Sequence, residues 1–234
     1  MKSIWTLSLL ACASAASAAP LYSNGPVVNG SGLSILQPPS TTIGLGVQVS
    51  AGNSAAEDFS VAGLGWNVQS LSFFAYQTGA SAFTFASATW SIVAGDVNTG
   101  TVVASGVNAV SNGGFQGYRV TAANQAATNR PIFEIVVDVP DFDLAAGSYW
   151  LRWSLVGDNL FTGPWQPLTS DGAAGNLHQA LTGGSFALWT DAGSGLNLAA
   201  PFAIHGVAAV PEPGSYALMA LGLLGLGAVA RRRR

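Results

Sequence analysis

Charge and sulfur are scarce in this chain. Of its 234 residues only 8% are Asp, Glu, Lys or Arg, and the single Cys is Cys12. With 49% hydrophobic residues, so little charge places the chain far from the disordered class, and one Cys excludes a disulfide scaffold. Lysine is missing after Lys2, and four of the eight basic residues are the terminal Arg231, Arg232, Arg233 and Arg234. Setting those five and Glu212 aside leaves Arg119, Arg130 and Arg152 against ten acidic residues, a formal charge of −7. No nucleic-acid partner is expected, because neutralising phosphates needs clustered Lys and Arg. Catalytic spacing is missing too: the chain has no G-x-S-x-G, no H-E-x-x-H and no phosphate loop. His178 and His205 stand apart without a neighbouring nucleophile motif, and His205 reads as an outward strand residue. No two carboxylates are singled out as a glycosidase pair. We therefore expect a protein that is not an enzyme and carries no cofactor.

What the chain does have is concentrated at its ends. Lys2, the apolar run from Ile4 to Ala13 and the small residues 14–19 follow the order of a secretory signal peptide, with cleavage by signal peptidase after Ala18. As a retained anchor the run is too short, since crossing hydrocarbon takes about 20 residues. Cys12 is a minor alternative as a lipoprotein site, with bulky Leu10 where a small residue is usual. Its removal with residues 1–18 leaves no thiol, which excludes disulfides, thiol catalysis and zinc thiolate sites.

At the other end, Val210-Pro211-Glu212-Pro213 precedes an apolar stretch from Tyr216 to Ala230 and the four arginines. As a helix that stretch reaches about 22 Å at about 1.5 Å per residue, short of the roughly 30 Å hydrocarbon layer, and snorkelling arginines extend its span. Arg231 to Arg234 fix its orientation, with positive charge kept on the cytoplasmic side. Pro211 and Pro213 hold the backbone around Glu212 extended. A plain C-terminal tail anchor shares the helix and the arginines but not the Pro-Glu-Pro tripeptide. Residues 210–234 resemble the PEP-CTERM sorting signal of Gram-negative bacteria, the counterpart of the LPXTG signal. The resemblance implies recognition by a membrane-embedded exosortase and cutting near Pro211-Glu212-Pro213. It further implies an inner-membrane-anchored precursor and a product at the cell surface or in the extracellular matrix, commonly beside exopolysaccharide.

Between these segments, residues 19–209 read as one all-β domain, a single β-sandwich of jelly-roll type. Clear strands are expected over residues 68–76, 83–93, 101–105, 116–121, 132–139, 148–156 and 202–207, with weaker ones near 45–49 and 186–190. Phe133, Ile135, Val137 and Val139 share one strand face and Glu134 and Asp138 the other. Residues 149–153 read as a central, well-covered strand, apolar on both faces but for Arg152. Residues 98–114 look irregular. The domain resembles a recurring family of secreted bacterial β domains. Ala56-Glu57-Asp58-Phe59, Trp66, residues 73–79, Asn129-Arg130-Pro131-Ile132, residues 144–151, Gly163-Pro164-Trp165-Gln166-Pro167, Gly175-Asn176 with Gln179, and Pro201-Phe202-Ala203-Ile204 carry that resemblance. It brings no catalytic assignment.

Two constellations invite a ligand. Asp138, Asp141 and Asp143, near Glu134, could supply part of a Ca²⁺ shell, which takes six to eight oxygens. A solvated turn at Pro140 is the simpler expectation, so no metal is assigned. Glu57-Asp58 reads as a loop before a strand. Trp165, in a rigid Pro-bounded loop, could stack on a sugar with Gln166 and Asn176 as polar partners, making the domain a carbohydrate-binding module. Alternatively Trp165 folds back as a lid on the sandwich. Trp90 and Trp153 are expected in the core.

Overall fold

Runs that alternate apolar with polar residues and break at Gly, Pro and Asn become strands in the computed structural model, which describes residues 19–210. In chain order these are β1 (Tyr22–Ser23), β2 (Leu33–Leu36), β3 (Leu45–Gly46), β4 (Ser54–Val61), β5 (Trp66–Thr78), β6 (Phe85–Ala94) and β7 (Thr101–Ala109). They continue with β8 (Ser111–Thr121), β9 (Pro131–Leu144), β10 (Gly147–Gly157), β11 (Thr162–Gln166), β12 (His178–Ala180), β13 (Ala187–Leu188) and β14 (Phe202–Ala208). No α-helix occurs among the described residues.

The strands form two sheets. An eight-stranded sheet runs β1-β14-β5-β9-β8-β2, with β11 joining β5 to β3, and a six-stranded sheet runs β13-β12-β4-β10-β6-β7. The chain changes sheet at β3–β4, β4–β5, β5–β6, β7–β8, β9–β10, β10–β11, β11–β12 and β13–β14, so each sheet is assembled from distant segments.

The core lies between the sheets. Phe73 and Leu71 of β5 and Phe133, Ile135, Val137 and Val139 of β9 face Phe59, Trp90, Leu151 and Trp153 of the other sheet, all buried. The β9 alternation thus places its apolar face inward as expected. Trp153 stacks on Phe73 with ring centroids 5.4 Å apart, and Trp90 stacks on Phe142 at 5.9 Å. Truncating a buried aromatic at such a position to Ala costs about 3 to 5 kcal/mol. A second apolar cluster of Val27, Phe74, Tyr76 and Ile132, with Val28 and Trp165 against it, covers the outer side of the eight-stranded sheet.

Four local expectations are corrected. Residues 98–114 are not irregular: the strand expected over 101–105 extends to Ala109 as β7, and residues 111–114 open β8. β7 is an edge strand, wet on both faces, so no apolar alternation marks it. In β8, Gly117 sits at φ +147, where a Cβ would come 2.0 Å from the Gly32 carbonyl, so glycine permits the close approach of β2. Pro140 does not end its strand. Between Asp138 and Phe142, β9 runs four residues against two in β5, a bulge that accommodates proline. Glu57-Asp58 lies inside β4, with Glu57 buried alongside Ala55, Phe59 and Val61. The strand over 149–153 is central, between β4 and β6, yet only its inner face is covered: Trp150 and Arg152 remain partly exposed.

Candidate functional site

The face left open is the outer side of the six-stranded sheet. Register aligns His178, Ala56, Arg152, Ser91 and Ser105 in one row across β12, β4, β10, β6 and β7. Paired residues of antiparallel strands point to the same face, so this row is a single surface feature. A cleft of about 420 Å³ opens over it, lined by residues including Ser54, Thr89, Ser91, Ser105, Arg152 and Phe186. The Arg152 guanidinium lies 5.5 Å from the Phe186 ring centroid, and its Nε–H is buried without an acceptor. Beside it, Trp150 meets the His178 ring edge-on at 4.7 Å.

The residues expected to contact sugar do not assemble. Gly163 and Pro164 form an irregularity within β11 rather than a loop, so Trp165 pairs with Tyr76 and Gly46 as a strand residue. It is half-buried against the outer apolar cluster. Gln166 points the opposite way, fully buried: its Oε1 accepts from Trp153 Nε1 at 3.1 Å and its Nε2 donates to the Pro167 and Pro201 carbonyls. Asn176 is held elsewhere, its N–H donating to Glu57 at 2.7 Å. These are corrections to the trio as one platform. Trp90 and Trp153 are buried in the core as expected.

The acidic residues of β9 are likewise dispersed. Asp143 accepts from Asn67 Nδ2 at 2.9 Å, Asp141 from Gln69 Nε2 at 3.5 Å, and Glu134 turns toward Ser72. Asp138 is exposed, and Asn108 Nδ2 donates to its backbone carbonyl. Among the described residues no three His, Cys, Asp or Glu side chains gather in a metal-holding group.

The chain leaves the sandwich at β14, whose register with β5 ends at Ala208 against Trp66. One more bond, Ala209 N–H to the Gly65 carbonyl at 2.8 Å, fixes the exit, and Val210 beyond it is exposed. Residues 209–234 match the PEP-CTERM protein-sorting motif. That motif marks the chain as an exported protein that an exosortase sorts and processes. No curated protein matches the chain. Of the motif, Ala209 and Val210 are described; Pro211, Glu212, Pro213, the apolar stretch and Arg231 to Arg234 lie outside the described residues, as does the signal peptide.

Upstream of the PEP-CTERM motif the fold buries polar groups that the sequence does not flag. Ser72 Oγ donates to Glu134 Oε1 at 2.7 Å and lies 3.0 Å from His205 Nε2. Glu134 thus holds the serine hydroxyl rather than the imidazole. Glu57 accepts the N–H groups of Asn176 and Ala200 at 2.7 and 3.0 Å. Burial pushes its carboxyl up to about 7, with Asp58 adding slightly and the two N–H donors opposing. For Asp191 burial acts upward as well, but the Ser194 and Thr42 donors outweigh it and hold the carboxyl well below the usual range. Arg119 is fully buried, donating from Nε to Ile43 O, from Nη1 to Ser34 Oγ and from Nη2 to Thr42 O. Burial lowers its pKa to about 10, which still leaves it charged at neutral pH.

Proposed function

We propose that the chain is a non-enzymatic protein of the cell surface or extracellular matrix of a Gram-negative bacterium. It loses residues 1–18 to signal peptidase and is held in the inner membrane through its C-terminal segment as a precursor. The exosortase then cuts it at Pro211-Glu212-Pro213. The exported portion is a β-sandwich of jelly-roll type. The observation that carries this reading is the PEP-CTERM match over residues 209–234, beginning immediately after the last strand. Arg231 to Arg234 hold the tail on the cytoplasmic side while the sandwich is outside.

Mass spectrometry of the surface form tests this. The expected product lacks residues 1–18 and everything after the cut near Pro213, and Glu212→Ala accumulates precursor. A surface form that retains Arg234 overturns the processing claim.

A second reading, a carbohydrate-binding module acting on exopolysaccharide, draws support from the open cleft around Arg152 rather than from Trp165.

A further inference from the structure

We propose that the outer face of the six-stranded sheet binds an acidic sugar chain, with Arg152 holding a carboxylate and Ser91, Ser105 and Thr89 meeting the sugar hydroxyls. The proposal rests on the second reading above and names its ligand class and its site.

Four observations converge on this face. First, no carboxylate lines the cleft, so the Arg152 charge is not neutralised there. Asp96, whose field reaches it, spends its Oδ1 on the N–H groups of Asn98 and Thr99 in its own turn. Second, the buried Nε–H has no acceptor among the described residues, so the fold does not tie the guanidinium to a partner of its own. Third, the neighbouring positions are hydroxyls set by register. Arg152 pairs with Ser91 and Ser91 with Ser105, and in the next row Ser154 pairs with Thr89. Strands lie about 4.8 Å apart, so these groups form a ladder of hydroxyls across the face. Fourth, the aromatic wall is rigid. Phe186 N–H donates to Asn98 Oδ1 at 2.7 Å and its carbonyl accepts from Asn98 Nδ2 at 2.9 Å.

The chemistry selects the ligand. A guanidinium is a fork that matches a carboxylate with two parallel bonds, and serine and threonine hydroxyls both donate and accept, as sugar hydroxyls do. A nucleic acid needs several cations in a row, and this face offers one. The acids of β9 belong to the other sheet, and Asp58, exposed on this face, stands opposite Trp150, one strand across and two residues along from Arg152. Their repulsion is screened over about 8 Å at physiological ionic strength.

The test is isothermal titration of the full chain in non-ionic detergent with polygalacturonate, with highly methyl-esterified pectin and with dextran. The expected result is saturable binding to polygalacturonate, weakened about tenfold or more by esterification and by Arg152→Ala, because a charge-assisted bond is lost. Arg152→Lys keeps the charge without the fork and should fall between. Should Arg152→Ala fail to fold by circular dichroism, Ser105→Val on the exposed edge strand carries the test, with binding about threefold weaker. No binding to polygalacturonate overturns the proposal. So does equal binding to the esterified chain, or unchanged affinity in the folded variants. Because the purified chain is titrated directly, failure here leaves exosortase processing untouched, and failure of processing leaves the binding intact.

Discussion

On the outer side of the eight-stranded sheet, Arg119 is buried beneath the segment around Ile43 and gives each guanidinium nitrogen to an oxygen of the fold. On the outer side of the six-stranded sheet, Arg152 is partly exposed, and its Nε–H is buried with no acceptor. Both are single cations in an acidic domain, and only their surroundings differ. Arg119 holds two other pieces of the chain, Ser34 of β2 and the Thr42-Ile43 segment, against β8, so its bonds are spent on structure. Arg152 spends none of comparable quality on its neighbours, so its charge is left for something outside the chain. A covered face and an open face thus assign opposite roles to the same residue type.

The sharpest way to break that comparison is Arg119→Ala. It removes three charge-assisted donors, one from the buried Ser34 Oγ and two from the part-buried Thr42 and Ile43 carbonyls, and empties the space of the side-chain stem. Unfolding of the full chain in urea should show a loss of about 3 to 5 kcal/mol, with retention on polygalacturonate unchanged in whatever fraction is folded. A loss below about 1 kcal/mol means the covered arginine is not a structural tie, and the contrast fails from that side.

Next in size is a pH effect on the inner side of the open sheet. Glu57 has its carboxyl pushed up to about 7 by burial, against an ordinary value near 4.3 in the unfolded chain. The folded state therefore binds more protons between these values. The associated stability is fully present below about 4, declines as pH rises and is lost above about 7, on the order of 3 kcal/mol in all. Denaturant midpoints at pH 5 and pH 7.5 measure it. Glu57→Gln should flatten the difference while lowering stability at both values, because the amide nitrogen faces a backbone N–H that the carboxylate accepted. A wild-type profile that rises from pH 5 to 7.5 contradicts the shift.

These effects follow from contacts the sequence hides for identifiable reasons. β9 was legible because its alternation is local, and Trp90 and Trp153 were legible as core because large aromatics flanked by strand residues rarely go elsewhere. The sorting motif was legible for the same cause: it is linear, and its parts need no partner strand to be recognised. Trp165 reads as a loop residue because its strand partners, Gly46 and Tyr76, lie far back in the chain. The row through Arg152 uses five strands drawn from four stretches of sequence, and register between distant strands leaves no trace in any one of them. β7 is read only over residues 101–105, because an edge strand wet on both faces has no apolar period to carry the reading to Ala109.

Trp165 gives a third, smaller test on the covered face. It is half-buried against Tyr76 and Ile132 rather than enclosed, so Trp165→Ala should cost about 2 kcal/mol, less than a core aromatic. Retention on an affinity gel carrying polygalacturonate should not change. If retention falls while stability holds, the ligand sits on Trp165 and the two faces exchange roles.

The smallest expected effect is the most telling for the comparison, because it concerns what Arg152 does for the fold by itself. Replacing it with Leu removes the guanidinium from the Phe186 ring, a contact worth about 0.5 to 1 kcal/mol at a partly exposed site. The same change removes a buried Nε–H with no acceptor, whose desolvation costs about 1 to 3 kcal/mol in the wild type. The Leu side chain also covers part of the surface over which the arginine stem lies. These contributions oppose one another, so urea unfolding of Arg152→Leu should fall within about 1 kcal/mol of the wild type, in contrast to the loss expected at Arg119. A destabilisation above about 2 kcal/mol means that Arg152 is a structural tie like Arg119, with its orphaned donor satisfied in solution by the fold or by water. In that case the open face has no free charge to offer. A near-zero change, combined with lost binding, leaves recognition of something outside the chain as the reason an arginine stands at this position.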